Sequence, residues 1–263
     1  MKRSAFIPVF LMLLITACKK DDVNTSLCYS NTLISQINSG KEAVHGITYN
    51  INCLVYESTQ PFSYKKYSYD SENMLKKVEM AYSFNPFSCV MLPGQSDESD
   101  PRKARLSESD VFEYNDSSLL IRKSHYFLNS GISQPVSYQT FEYEKERIVR
   151  ANTYNTQGDL TLYHVYTYDD NANVIRDDQY TVYSGVKLAN SKRCEFDNQN
   201  NPYRVFECEG TPGINTNKNN IIKETIISYN GTSEFTNVKT FVYRYNSLGY
   251  PDKINDLNCI YGK

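Results

Sequence analysis

One nine-residue phrase recurs along this chain and narrows what it can fold into. It reads YSYDSENML from Tyr67 to Leu75, FEYNDSSLL from Phe112 to Leu120, and FEYEKERIV from Phe141 to Val149. It returns as YTYDDNANV from Tyr166 to Val174, CEFDNQNNP from Cys194 to Pro202, and YRYNSLGYP from Tyr243 to Pro251. The template is aromatic–x–aromatic–Asx or Glu, then turn-forming positions, then an aliphatic residue or Pro at the ninth place. Residues two apart share a face of a strand, so Tyr67 and Tyr69 form an aromatic ladder. Asp70, Asn115, Asp169, Asp197 and Asn246 end their strands, because Asx side chains bond nearby backbone and tolerate turn geometry. Pro202 and Pro251 suit the first residue of a return strand, which can forgo its donor. Each phrase therefore predicts a β-hairpin.

The third-position rings are Tyr69, Tyr114, Tyr143, Tyr168, Phe196 and Tyr245. From Tyr114 to Phe196 they recur every 25 to 29 residues, with wider gaps of 45 and 49 outside. The first wide gap holds NPFSCVMLPGQSDESDPRKAR, which reads as a loop, and LSESDVF near Leu106 offers at best a short turn. The second gap holds TPGINTNKNN, another loop, before the strand-like IIKETIISYNG. Six hairpins give about twelve strands before any from residues 33–56. The expected fold is all-β: an antiparallel meander, curled into a closed or nearly closed soluble barrel with the six rings in equivalent positions.

The phrase resembles the YD repeat of Rhs-type and teneurin-type proteins, where successive hairpins build a continuous β shell. Together with the N-terminal features below, it resembles more closely a family of uncharacterised Bacteroidota lipoproteins with a porin-like antiparallel barrel. The similarity covers residues 62–256, and Gly249 alone supplies the turn glycine of the YD pattern. A membrane-embedded barrel needs an apolar residue at every second place of a lipid-facing strand. TFEYEKERIVRANTY instead sets Glu142, Glu144 and Glu146 on one face, and Phe141, Tyr143 and Lys145 on the other. Neither face suits hydrocarbon.

At the N-terminus, Lys2 and Arg3 precede eleven residues from Ala5 to Ile15 that form an apolar run. That is too short to span a bilayer core of about 30 Å, and it has the form of a secretory leader, residues 1–17. Ile15-Thr16-Ala17-Cys18 resembles the bacterial lipobox, which implies a diacylglycerol on Cys18. Lys19-Lys20-Asp21-Asp22 follows, and Lys20, Asp21 and Asp22 resemble the surface-export tag of Bacteroidota lipoproteins. Residues 18–30 then read as anchor and tether, and 31–263 as a single repeat domain. Removing Lys2 and Arg3 with the leader leaves 26 cations against 30 anions, a net charge of −4. With no polybasic surplus, nucleic acid is excluded as a partner.

Cys28, Cys53, Cys89, Cys194, Cys208 and Cys259 remain after lipidation, an even number outside the cytoplasm. They admit disulfides in any of fifteen full pairings, and a Cys194–Cys208 bridge across one hairpin is geometrically open. There is no CxxC, HExxH, GxSxG or P-loop, and His45, His125 and His164 stand far apart. Asp169-Asp170-Asn171-Ala172-Asn173 imitates the start of a calcium loop, yet its twelfth place is Tyr180 rather than Glu. No cofactor or metal site is expected. The 23 tyrosines, with no Trp, suit half-buried strands and could also stack on a glycan or peptide. The expected protein is a lipid-anchored, surface-exposed outer-membrane module that binds a glycan, peptide or envelope protein without catalysis; the periplasmic face is the second location. The competing expectation is a secreted-side hydrolase with a carboxylate pair in the barrel mouth. Replacing Cys18→Ser should move the protein from the membrane fraction to soluble or unprocessed forms. Unchanged fractionation with an unshifted intact mass would refute the anchor.

Overall fold

The computed structural model describes residues 32–83, 100–129 and 132–262. Cys18, Lys20, Asp21, Asp22, Cys28 and Cys89 lie outside them. Among the described residues there are seventeen strands in one antiparallel sheet, more than the twelve the phrases predict. The first five are β1 (Ile34–Ser39), β2 (Glu42–Tyr49), β3 (Val55–Gln60), β4 (Ser63–Tyr69) and β5 (Leu75–Tyr82). Then come β6 (Leu106–Tyr114), β7 (Leu120–Asn129), β8 (Ile132–Glu144), β9 (Arg147–Asn155), β10 (Leu160–Tyr168) and β11 (Val174–Thr181). β12 (Lys187–Asn200) leads into a 3-10 helix, Pro202–Glu209. The sheet finishes with β13 (Asn219–Asn230), β14 (Ser233–Thr240), β15 (Tyr243–Tyr245), β16 (Pro251–Ile254) and β17 (Leu257–Tyr261). The segment near Leu106 is thus strand rather than turn, because its Ser-Glu-Ser-Asp run alternates faces against β5 and β7.

Strands pair in chain order, and β17 pairs with β1, so the two ends of the meander meet. The circuit is interrupted where β15 follows β14 along one strand path, and it is not closed by hydrogen bonds. There β14 pairs with β13, β15 pairs with β16, and only Phe241 and Val242 separate the two strands. Phe241 N–H still donates to the Ile222 carbonyl at 2.9 Å.

The hairpins share one turn. After Tyr49, Tyr69, Tyr114, Tyr168 and Tyr245 the chain reverses at Asn50, Asp70, Asn115, Asp169 and Asn246, all at one end of the sheet. In each, the Asx N–H bonds the carbonyl four residues on, and its own carbonyl accepts from the third residue on. The Asp70 carboxylate also accepts from the Glu72 and Met74 N–H groups at 3.0 and 2.9 Å, and Asn50, Asn115 and Asn246 repeat the pattern. This is a type I turn followed by a left-handed residue, the common three-residue hairpin loop. Gly249 holds that left-handed position at φ 75°, but Cys53, Asn73, Ser118 and Ala172 hold it elsewhere at φ 60–68°. Asn155 makes the same turn at the opposite end, with Gly158 at φ 88°.

Two phrases depart from the template. FEYEKERIV turns in two residues, Lys145 and Glu146, both at positive φ, so its return strand starts one place early with Ile148 opposite Tyr143. CEFDNQNNP makes no hairpin. Pro202 begins the 3-10 helix, where a missing N–H costs nothing, and the Asn201 side chain caps it by accepting from Tyr203 N–H at 3.0 Å. The helix folds back among the inward side chains, with Phe206 buried in the same cluster as Ile34, Val55, Tyr67 and Phe112. Cys194 on β12 and Cys208 in the helix therefore do not flank a hairpin. Both are free thiols, as is Cys259, whereas Cys53 is disulfide-bonded. The Asn-rich loop after the helix is latched down: Asn217 accepts from Val174 N–H at 2.7 Å, and Asn219 and Asn173 bond each other.

On the outward face of β7, β9 and β11, Arg122, Arg150 and Arg176 bond Ser124, Asn152 and Asp178 at 3.1, 2.8 and 2.9 Å. Arg122 and Arg150 lie 3.9 Å from the Tyr138 and Tyr163 ring centres. A lipid-facing Arg costs about 2–4 kcal/mol at mid-bilayer, so this face is built for water. At the turns, an L residue forced to positive φ carries strain that glycine lacks. Ser118→Gly should therefore raise unfolding stability by about 0.5–1 kcal/mol in urea melts, net of glycine's larger unfolded-state entropy. A loss of stability would contradict the turn assignment.

A tyrosine-latched rim and the cavity beside it

The turn end of the sheet is held by tyrosine hydroxyls. Tyr49 donates to the Ile34 carbonyl at 2.6 Å, Tyr69 to Val55 at 2.8 Å, Tyr143 to Leu120 at 2.7 Å and Tyr168 to Ile148 at 2.6 Å. Tyr261 reaches the Pro251 carbonyl at 2.7 Å and Tyr243 the Ile221 carbonyl at 2.8 Å. Tyr49, Tyr69, Tyr143, Tyr168 and Tyr261 each cross to the paired strand that no turn joins at this end, meeting its first residue or, for Tyr168, its second. Asx turns and tyrosine latches thus alternate around the rim. Burial raises the hydroxyl pKa of Tyr69 and Tyr168, and that of Tyr143 to about 12, so all stay donors.

The predicted third-position rings divide accordingly. Tyr69, Tyr143 and Tyr168 are latches, and Tyr245 instead donates to Asp197 while its neighbour Tyr243 takes the latch. Phe196 has no hydroxyl and leads to the helix. Tyr114 stands where a latch to Leu75 belongs, but among the described residues its hydroxyl makes no hydrogen bond. The first-position rings Tyr67 and Phe112 are the fully buried ones, each 1% exposed. Tyr49 and Tyr261 escape the template because ITYNINCLV has Ile47 in the first place and Tyr261 is followed by Gly262 rather than an Asx residue.

The helix plugs this end. Phe206 stacks on His45 with ring centres 5.8 Å apart and lies 6.2 Å from Tyr67. Glu209 accepts from the Tyr67 hydroxyl at 2.6 Å and from Lys65 at 3.0 Å. Burial, then the nearby Lys65, lowers the His45 pKa to about 4, so its ring is neutral beside Ser58 at 2.8 Å. Next to the plug lies a cavity of about 440 Å³. Its hairpin wall is Leu75, Leu120, Ile148, Tyr114, Tyr143 and Tyr168; Cys208, Gly210 and Pro212 form the other side. Gly210 sits at φ 72°, and a Cβ there would meet Leu120 at 2.4 Å, so a side chain at this place would be strained and would displace Leu120 from the wall. Burial pushes the Cys208 thiol up to about 11, which leaves it protonated and unreactive.

Farther from the turns the inward faces become ionic. Asp110 holds His125 at 2.8 Å and Lys123 at 3.1 Å; Asp177 holds His164 at 2.7 Å and lies 3.6 Å from Lys192. The structure thus gives the three histidines separate settings. The carboxyl pKa values of Asp70, Asp100 and Asp110 are all lowered, opposite to what a general acid needs. The Asp169 loop is a hairpin turn whose carboxylate accepts from Asn173 N–H and Nδ2. Among the described residues no three His, Cys, Asp or Glu side chains gather as for a metal ion.

No family model and no curated protein matches the chain. Solved structures do. A porin-like protein from Bacteroides vulgatus ATCC 8482 is 9% identical, with 88% of this chain and 98% of that one covered at a TM-score of 0.46. A porin-like protein from Bacteroides uniformis ATCC 8492 is 13% identical, with 78% and 92% covered at 0.40. A protein of unknown function from Bacteroides fragilis NCTC 9343 is 12% identical, with 51% and 88% covered at 0.34.

Removing one latch leaves a shielded carbonyl without its donor. Tyr168→Phe should cost about 1–2 kcal/mol in equilibrium unfolding, the range for a lost hydrogen bond with an orphaned partner. A cost within 0.3 kcal/mol, roughly the noise of an ordinary surface change, would show the latch to be incidental.

Proposed function

We propose that this protein is a non-enzymatic binding module, held by lipid at Cys18 on the outer membrane and displayed at the cell surface, with the turn-end cavity as its binding site. The carrying observation is that cavity: a concave, mostly apolar recess of about 440 Å³ with a few placed polar groups, within the usual range of about 300–1,000 Å³ for small-ligand sites. Rigid elements shape it. Four successive hairpins supply one side, and a capped helix supplies the other. The charged outer face suits a domain standing in water on a tether, and the Lys20-Asp21-Asp22 segment fits export to the surface. The hydrolase alternative needs a carboxyl held protonated, whereas Asp110, inward-facing beside His125 and Lys123, is lowered.

Met74 and Leu119 line the cavity from turn positions where their side chains are only half-buried. Met74→Trp and Leu119→Trp should therefore fill it without disturbing the core. Immobilised wild-type protein, incubated with detergent-solubilised envelope extract, should retain a component that both filled variants lose. Equal retention by all three would move the binding site elsewhere on the molecule.

A further inference from the structure

Much of the hydrogen-bonding capacity of the cavity wall is committed to the fold. Tyr143 and Tyr168 turn their hydroxyls to the Leu120 and Ile148 carbonyls. Thr216 donates to the Gly213 carbonyl and accepts from its N–H. Glu207 is bound by Arg204 at 2.6 Å, and Asn73 accepts from Asn52 at 2.7 Å. The charged rim residues Glu146 and Arg147 are exposed and of opposite sign, and Arg147 stands over the Tyr168 ring at 5.7 Å. What remains facing the space is hydrocarbon, ring surface and the protonated Cys208 thiol. Ser118 adds a hydroxyl from an exposed turn position, and the wall itself adds one donor. Tyr114, on the same wall, is the latch position whose hydroxyl is not bound to a carbonyl.

A ligand rich in hydroxyls would lose its water here and find almost nothing to replace it, which is unfavourable for each group so stranded. An apolar body would instead cover Leu75, Leu120, Ile148 and the three rings. Resting on the binding-module reading, we propose that the cavity takes an uncharged apolar ligand, aromatic or short-chain aliphatic, with one carbonyl-type acceptor met by the Tyr114 hydroxyl. The assignment selects against free sugars, and it gives the unlatched tyrosine a purpose: the ligand's oxygen stands where a strand carbonyl stands for its neighbours. The shared chemistry fits a free small molecule or an apolar peptide side chain beside its own carbonyl.

The probe is 6-propionyl-2-dimethylaminonaphthalene, an uncharged fluorophore with one ketone whose emission reports both polarity and hydrogen bonding. Wild-type protein should bind it at one site with a blue shift. Met74→Trp and Leu119→Trp should each weaken binding at least tenfold. Tyr114→Phe should weaken it about fivefold while leaving the thermal midpoint unchanged, since no fold contact is lost. N-acetylglucosamine in hundredfold excess should not displace the probe, whereas indole should. N-acetyl-phenylalanine amide competing better than indole would identify the source as a peptide, and the reverse order as a small molecule. Displacement by the sugar, or probe binding indifferent to both tryptophan variants, would overturn the ligand class. If the probe fails while the envelope component is still lost from the filled variants, the ligand class falls and the binding module stands.

Discussion

A hydroxyl reaching a carbonyl across an unjoined strand pair is the contact on which the rest of this structure depends. An antiparallel meander joins its strands at alternate places around each end, and every gap leaves two chain ends free to splay. Tyr49, Tyr69, Tyr143, Tyr168 and Tyr261 close such gaps at one end. Tyrosine suits these positions because its ring is wide enough to lie over the inner face while its hydroxyl reaches the next backbone. Phenylalanine would supply the ring alone. The same end can then bear an internal helix, because a rim that could splay would not hold Phe206 against His45 and Tyr67.

The order of events along the chain explains why a plug occurs once. Five copies of the phrase turn directly back, through a three-residue loop or, after Tyr143, a two-residue one. Asp197 still accepts from Gln199 N–H as the other Asx residues do from the second residue on, but its further backbone bond comes from Asn220 N–H, well beyond the phrase, and no three-residue turn forms. Pro202 then favours a helix start, Asn201 caps it, and Gly210 ends it in the left-handed conformation. Buried asparagines at 173, 217 and 219 return the chain to the sheet. The cavity is the space left between a wall of uniform hairpins and this one irregular insertion.

Much of this was legible in the residues. The spacing of Tyr67 with Tyr69, and of each pair with its Asx, defines strands and turns because a two-residue period and an Asx turn are local physics. The hairpin at Asn50 was hidden because Ile47 replaces the first aromatic ring, although the remaining pattern is intact. The helix was hidden for another reason. Pro at a ninth position serves a strand start or a helix start equally well, and only Asn201, Gly210 and the distant Asn217 decide. The cavity could not be read at all, since it depends on Leu75, Leu120 and Ile148 facing a helix that is distant in sequence. The same holds for the histidines: His45, His125 and His164 look alike in the sequence, yet one is neutral under an aromatic ring and two are paired with aspartates.

The two-residue break between β14 and β15 bears on how strain is shared around the sheet. In a barrel closed by continuous hydrogen bonding, strand number, tilt and stagger are tied together, so every register answers to every other. Here one strand path leaves its ladder with β13 after Thr240 and takes up its ladder with β16 at Tyr243. Across Phe241 and Val242 the two registers are linked by the covalent chain and by the Phe241 and Tyr243 bonds to the Ile222 and Ile221 carbonyls. That short joint is where the meander can bend without breaking a strand pair.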